Sequence, residues 1–460
     1  MFEDTIAAIA TAMSTGGISI IRISGPDSIS IADRILVTKS GKHFVGGMAS
    51  HTVHYGFVTD QDGEIIDEVL TSIFFAPKSY TGETVVEISC HGGIVVSRRI
   101  LERVLTCGAR LAEPGEFSKR AFLNGRIDLS QAEAVMDLIT SESDAAAKAS
   151  VHQLTGLLSR RIGEIREKIL YETAHLEAAM DDPEHYDLTG YADAFLPLLN
   201  GLLSDIKQMM DSYSAGKLLR EGISTVILGQ PNTGKSSLLN LLLGQERAIV
   251  SDISGTTRDT LEETLSLGDV TLHLIDTAGL RDADDPVEQI GVKRALSAAA
   301  EAQLILYVID SSLPLSDEDV KRISEYPNAF RVVILNKNDL QEAFVYEDAK
   351  KIFSDIPVIS FSSKTGDGLL QLQELIRDSF YQGAIRDDGN LVITRARHME
   401  ALSDAYHSLE LVKDAVLAGM PEDLYTVDLM NAYRSLGLII GEEIEDDLAD
   451  KIFSEFCMGK

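Results

Sequence analysis

The sequence predicts a multidomain α/β and all-α chain. A mixed α+β segment comes first, then helices, then an inserted α/β unit with a parallel-rich sheet and flanking helices, then helices again. Three observations predict this. Short apolar runs bounded by Gly, Pro and Thr fill residues 1–120. After Leu129 the apolar residues recur every three or four positions, the period of a helix. Between Ser224 and Ser360 strand-like apolar runs alternate with helix-like stretches, the signature of parallel strands joined by crossover helices.

In order along the chain, residues 18–23 and 85–88 read as strands. Ser130-Gln-Ala-Glu133 fits a capping box, with the Ser and Glu side chains each reaching the other's backbone N–H. Val151, Leu154, Leu158, Ile162, Ile165 and Ile169 form one apolar stripe and predict a single long helix, broken at Asp181-Asp-Pro183. Residues 224–228, 271–275, 304–309, 332–335 and 358–360 read as the strands of the inserted unit. From about Gly383 the pattern is helical to the end. The expected boundaries are 1–120, 121–216, 217–382 and 383–460, the third inserted between two helical parts.

Composition narrows the function classes. The 45% hydrophobic and 25% charged residues of this 460-residue chain suit soluble domains with real cores. A formal net charge of −31 repels a polyanion, so a general nucleic-acid binder held by a basic face is excluded. Cys90, Cys107 and Cys457 show neither metal-ligand spacing nor an even count for a disulfide framework, which points to a reducing cytosol. The first residues lack the basic and apolar regions of a signal peptide, and no apolar run reaches the ~18 residues of a membrane span. A cytoplasmic protein with no membrane partner is the expectation.

Gly229-Gln-Pro-Asn-Thr-Gly234-Lys235-Ser236 fits the GxxxxGK[ST] pattern between a strand run and a helix run. Its glycines let backbone N–H groups wrap phosphates, and the following helix adds its dipole. Lys235 is expected to neutralise the β and γ phosphates, and the Ser236 hydroxyl to ligate Mg²⁺. Four further motifs follow in order. Thr256-Thr257-Arg258-Asp259 lies where a switch loop with a Mg²⁺-binding Thr belongs. Asp276-Thr-Ala-Gly279 follows a strand, as a metal-side acid and γ-phosphate sensor does. Asn336-Lys337-Asn338-Asp339 offers a carboxylate to the N1–H and amino group of guanine, donors that adenine does not present together. Ser362-Ser363-Lys364 suits a backbone contact to the guanine carbonyl. The set describes a Ras-like P-loop G domain and a GTP hydrolase.

Ras-like GTPases place a Gln after DxxG to orient water. Here the position holds Leu280, which cannot polarise water. Arg281, Glu288 and Arg258 are nearby candidates for that task. Slow hydrolysis is expected unless an arginine finger or another cation completes the site, an addition worth roughly 10³–10⁵ in rate.

Several stretches go beyond generic GTPase motifs: Ile20-Ile-Arg22-Ile-Ser-Gly25, Ser79-Tyr-Thr-Gly-Glu83, Val86-Glu87-Ile88 with His91-Gly-Gly93, and Glu113-Pro-Gly-Glu-Phe117. To these belong Arg120-Ala-Phe-Leu-Asn-Gly125, Asp128-Leu-Ser-Gln-Ala-Glu133 and the final Cys457-Met-Gly-Lys460. With the G motifs they make the chain resemble, over essentially its whole length, the tRNA-modification GTPase family MnmE, also called TrmE.

The resemblance implies an N-terminal folate-binding and dimerisation domain, a helical domain and the inserted G domain, in a homodimer whose G domains meet. K⁺ then acts in place of an arginine finger. It implies K⁺ ligation by Asn232, Ser251, Ile253 and Thr256, and Mg²⁺ ligation by Ser236 and Thr257. It implies a GTP/GDP site of Asn232, Thr233, Gly234, Lys235, Ser236 and Ser237, of Ser251, Asp252, Ile253, Ser254, Gly255, Thr256 and Thr257, and of Asp276, Thr277, Ala278 and Gly279. The guanine side adds Asn336, Lys337, Asn338, Asp339, Ser362, Ser363 and Lys364. Glu288 matches the family's water-orienting switch glutamate. Arg22, Glu87, Arg126 and Lys460 match its folate site, for 5-formyltetrahydrofolate or 5,10-methylenetetrahydrofolate. Some relatives carry Lys at the Arg126 position, a cation of different geometry. With the flavoprotein MnmG, in a heterotetramer or larger assembly, the family modifies C5 of the wobble uridine of certain tRNAs, adding a carboxymethylaminomethyl or aminomethyl group. The acidic surface agrees with MnmG holding most of the tRNA.

Some residues have bland alternatives. Cys457 is either a reactive thiol near Lys460 or an idle residue of a docked tail. Cys90 and Cys107 read as small core residues. His91 reads as part of a structural turn, and 442–447, 181–184 and 282–285 as solvated acidic runs. A competing function is a regulatory or ribosome-assembly GTPase without substrate chemistry, although no basic RNA-binding module is visible.

Overall fold

The computed structural model describes residues 3–182, 184–185, 188–245, 263–275, 299–381, 391–442, 446–454, 456 and 459. The chain divides into two compact units. One takes Met1–Met136, Gln153–His185 and Thr426–Lys460; the other takes Asp137–His152 and Tyr186–Tyr425.

The first unit begins with β1 (Ile6–Ile9), β2 (Ile18–Ser24), α1 (Ser28–Ile35), β3 (Leu36–Val37), β4 (Thr52–Thr59), β5 (Ile65–Phe74), β6 (Val85–His91), α2 (Ile94–Thr106) and β7 (Arg110–Leu111). They form one sheet in the order β3-β4-β5-β6-β2-β1-β7, antiparallel except for β1 against β7. The period of two decides what β2 presents. Ile21 and Ile23 enter the core with Ile31 and Ile35 of α1 and Ile100 and Val104 of α2. Arg22, between them, faces the other side, directly opposite Glu87 of β6.

Four helices follow along the chain: α3 (Glu116–Leu123), α4 (Leu129–Ile139), α5 (Asp144–Leu154), which belongs to the second unit up to His152, and α6 (Leu157–Asp181). Two expectations are corrected here. The capping box at α4 lies two residues earlier than Ser130/Glu133. Asp128 Oδ1 accepts from the Gln131 N–H at 3.0 Å, and Gln131 Oε1 accepts from the Asp128 N–H at 3.0 Å. Ser130 instead donates to Asp128, because its own residue is already inside the helix. The expected single helix through Val151 and Ile169 is two helices, separated at Gly156 in the left-handed region at φ 79°. Leu158, Ile162, Ile165 and Ile169 are buried on α6, whereas Val151 belongs to α5 and is exposed. The α6 helix ends at Asp181, just before Pro183.

The second unit contains α7 (Tyr191–Asp211), α8 (Tyr213–Glu221), β8 (Ile223–Leu228), α9 (Lys235–Gln245), β9 (Glu263–Leu267), β10 (Val270–Leu274), β11 (Leu304–Asp310), α10 (Asp317–Ser324), β12 (Phe330–Asn336), α11 (Tyr346–Ile352), β13 (Val358–Ser360), α12 (Leu369–Tyr381) and α13 (Ala396–Leu417). The sheet order is β13-β12-β11-β8-β10-β9, parallel except for the β9–β10 hairpin. All seven residues of β11 are buried, as a central strand covered on both faces must be. Leu304, Leu306 and Val308 enter one core; Ile305, Tyr307 and Ile309 enter the other. The five expected strands of this unit all occur, with ends within two residues of the forecast.

The first unit is completed by α14 (Asp423–Ile440) and α15 (Asp446–Ser454). Phe453 and Phe456 pack with Leu129 and Ala132. At the start of the expected solvated acidic face at 442–447, Glu442 is exposed as expected but is not helical. It follows α14 and pairs with the buried Arg166, whose guanidinium also donates to the Tyr433 carbonyl at 3.2 Å and stacks 4.0 Å from that ring.

Candidate nucleotide site and its neighbours

The loop after β8 turns sharply because its residues allow it. Gly229 has φ 145° and Gly234 has φ 98°. A Cβ would lie 2.3 Å from the Val308 carbonyl oxygen at the first and 2.1 Å from Asn336 Nδ2 at the second. Asn232, a residue type that tolerates the left-handed region, has φ 63°. The loop's carbonyls are tied back to protein. Gln230 O accepts from Lys235 Nζ at 2.7 Å and from Thr233 Oγ1 at 2.9 Å. Asn232 O accepts from Lys337 Nζ at 2.9 Å, and Thr233 O from Asn336 Nδ2 at 2.9 Å. The N–H groups of Asn232 and Gly234 meet no protein acceptor among the described residues. Carbonyls bonded outward and amides left open make a nest for an anion, and α9 starts at Lys235 with its N-terminus at that nest.

Asn336, 1% exposed, joins three loops. Its Nδ2 holds the phosphate loop, while its Oδ1 accepts from both the N–H and the hydroxyl of Ser363 at 2.9 Å each. Asp339 Oδ1 accepts from Ser362 Oγ at 2.9 Å. The backbone N–H of Asn338 donates to Phe361 O at 3.1 Å and its Nδ2 to Ser360 Oγ at 3.2 Å. Lys337, at φ 67°, bridges Asn232 O to Asp310 Oδ2 at 2.6 Å. Burial would raise the Asp310 carboxyl, but the bonds from Lys337 and Ser312 outweigh it and hold it below the usual range. The sequence thus brings Asn232, Thr233, Gly234 and Lys235 together with Asn336, Lys337, Asn338, Asp339, Ser362 and Ser363. Asp310 was missed; its only signal was a charge at the end of an apolar run. Ser251, Asp252, Ile253, Ser254, Gly255, Thr256, Thr257, Asp276, Thr277, Ala278, Gly279, Leu280 and Glu288 lie outside the described residues.

A second cluster lies in the first unit. Arg22 Nε donates to Glu87 Oε1 at 2.8 Å, and Nη1 lies 3.4 Å from Gly459 O. Its guanidinium stands 5.2 Å from the Tyr80 ring centre and 5.5 Å from that of Phe117. Two of the four expected folate-site residues therefore meet, with two aromatic faces and the tail beside them. Arg126 is exposed just past α3 and forms no ion pair among the described residues. Lys460 and Cys457 lie outside the described residues, as do their side chains' surroundings.

The remaining N-terminal motifs serve a partly buried ion network that the sequence did not reveal. Arg120 is fully buried and bonds Asp4 at 2.8 Å, Glu116 at 3.0 Å and Glu83 at 3.2 Å. Arg110 bonds Glu116 at 2.6 Å and Asp4 at 2.7 Å. Burial would raise Glu116, but bonds from Arg110, the Glu113 N–H and Arg120 hold it low. The one available signal was the Glu116/Arg120 spacing of four on α3. Cys90 and Cys107 are buried, and burial pushes the Cys90 thiol up. His91, expected in a turn, is instead the last residue of β6, and it has a partner: Nδ1 lies 2.7 Å from Asp67, which also accepts the His91 N–H at 2.8 Å.

Two family profiles together match nearly the whole chain. The family profile described as "GTP-binding protein TrmE N-terminus" matches residues 5–126, and "MnmE helical domain" matches residues 129–457. A Lachnoclostridium phytofermentans protein named tRNA modification GTPase MnmE is 48% identical over 460 residues, covering 100% of both chains. A Clostridioides difficile protein of the same name is 45% identical, covering 100% of this chain and 99% of its own. Among solved structures, the G domain of the T. maritima FeoB iron transporter is 28% identical and covers 34% of this chain and 97% of its own, with a TM-score of 0.26. The chain belongs to the MnmE (TrmE) family of tRNA-modification GTPases.

Proposed function

We propose that this GTP hydrolase is K⁺-stimulated and Mg²⁺-dependent and acts with the flavoprotein MnmG to modify C5 of the wobble uridine of certain tRNAs. The observation that carries the reading is the likeness to tRNA-modification GTPases over the full chain, joined to a phosphate loop and guanine motif stitched together by Asn336. The N–H groups of Asn232 and Gly234, without an acceptor among the described residues, suit a phosphate, which Lys235 would neutralise. Ser236 and Thr257 would hold Mg²⁺; Asn232, Ser251, Ile253 and Thr256 would hold K⁺. These ions supply charge stabilisation at the phosphates. Glu288 would orient water in place of the missing Gln at Leu280. Asp339 would read guanine, with Ser362, Ser363 and Lys364 at its carbonyl side.

Arg22, with the Tyr80 and Phe117 rings beside its guanidinium, and its partner Glu87 offer a cation, a carboxylate and ring faces suited to a pterin and a glutamate tail. Arg126, Lys460 and Cys457 would complete a tetrahydrofolate site whose bound one-carbon unit serves the modification. The domain boundaries proposed are 1–120, 121–216, 217–382 and 383–460; β8 starting at Ile223 and α12 ending at Tyr381 support the third. A homodimer is supported by Val53 and Tyr55 on one face of β4, both exposed, with exposed Leu70 directly opposite Tyr55. Among the described residues no helix is long and apolar enough to cross a membrane, which is compatible with a cytoplasmic setting. The test is nucleoside mass spectrometry of tRNA from a deletion strain. Loss of the C5 modification at the wobble uridine is expected; an unchanged profile contradicts the tRNA role.

A further inference from the structure

We infer that Asp319 is a positioning residue for the phosphate loop, acting through the side chain of Gln230. The inference rests on the reading of residues 229–236 as the phosphate cradle. Asp319 sits in the first turn of α10 but is only 6% exposed. An exposed carboxylate there would simply complement the helix dipole. A buried one costs solvation and has to be matched by donors. Asp319 takes three: Tyr307 Oη on Oδ1 at 2.9 Å, Ser316 Oγ on Oδ2 at 2.7 Å, and Gln230 Nε2 on Oδ2 at 3.3 Å. Gln230 Nε2 also donates to Ser316 Oγ at 2.7 Å.

The geometry runs from the sheet to the loop. Tyr307 of β11 is the register partner of Leu228, the last residue of β8 before the loop. Its hydroxyl fixes Asp319, and Asp319 with Ser316 fixes the Gln230 amide. The main-chain carbonyl of that same Gln230 holds Lys235 Nζ and Thr233 Oγ1. One end of the loop is thereby clamped from α10, as Asn336 and Lys337 clamp its middle. The ionised acceptor strengthens the bonds over those a neutral group makes.

The test is stopped-flow release of a fluorescent GDP analogue from the full chain, with the thermal midpoint of each variant alongside. Gln230→Ala keeps the carbonyl that Lys235 uses and removes only the amide. Release is expected to accelerate roughly three- to thirtyfold, the effect of one to two hydrogen bonds, with an unchanged midpoint. Asp319→Ala is expected to accelerate release to the same extent, with a lower midpoint because the buried Tyr307 hydroxyl loses its acceptor, and the double variant to release no faster than either single one. Asp319→Asn retains an acceptor for Tyr307 and can pair with a flipped Gln230 amide, so it should return release to within about threefold of the parent. Release from Gln230→Ala at the parental rate overturns the inference, whatever Asp319→Ala does. Lys235→Ala separates the two readings: if it binds nucleotide normally, the phosphate-cradle reading itself fails.

Discussion

At the residue scale, the most informative side chains act as connectors as well as ligands. The sequence marks Asn336 as the start of a guanine motif; in the fold its side chain makes three hydrogen bonds and joins the phosphate loop to the Ser362–Ser363 turn. Asn336→Ala leaves the Thr233 carbonyl and the Ser363 groups short of partners, at about 1–3 kcal/mol. A thermal midpoint several degrees lower and weaker nucleotide binding are expected from scanning calorimetry and titration. Asp339→Asn exchanges an acceptor for a donor facing the base. GTP affinity should fall by roughly two orders of magnitude and xanthosine triphosphate should become a ligand; an unaltered nucleotide preference contradicts the assignment. Residue types at fixed spacing made this site legible. Asp310, Gln230 and Asp319 were not, because nothing local distinguishes a buried, bonded polar side chain from a solvated one before the long-range pairing of β8, β11 and β12 is known.

At the element scale, strands of the inserted unit were legible because a central parallel strand is a continuous apolar run, and β11 is buried at every position. Helix ends were less so. Asp128/Gln131 and Ser130/Glu133 both fit the capping pattern, and only the backbone geometry selects between them. The apolar stripe through Val151 and Ile169 kept its period across the break at Gly156, so periodicity alone could not report it. The buried pairs around α3 give a pH prediction. Glu116 titrates below its ordinary value of about 4.3, so its contribution to stability is fully present above that pH and is lost as pH falls through the lowered folded value. Glu116→Gln should cost about 1–3 kcal/mol at neutral pH, since Arg110 and Arg120 each lose a charged partner but keep Asp4 and, for Arg120, Glu83. Its stability should also depend less on pH below about 4, as followed by circular dichroism across an acid titration. A variant with the parental acid profile contradicts the network's role.

At the scale of the whole molecule, one chain joins a nucleotide switch to a family role in tRNA modification. Leu280 leaves the water without the usual Gln, so GTP turnover should be at least about tenfold faster in K⁺ than in Na⁺. Equal rates in the two salts would refute the cation reading. Leu70→Glu on the exposed face of β5 should shift the chain toward monomer in sedimentation while leaving nucleotide binding intact. The most direct test of the central claim is complementation. In a deletion strain, the parental chain should restore the modified wobble uridine, read by nucleoside mass spectrometry, whereas Lys235→Ala expressed at the same level should not. Full restoration by Lys235→Ala would contradict the claim that nucleotide turnover at this loop drives the modification of tRNA.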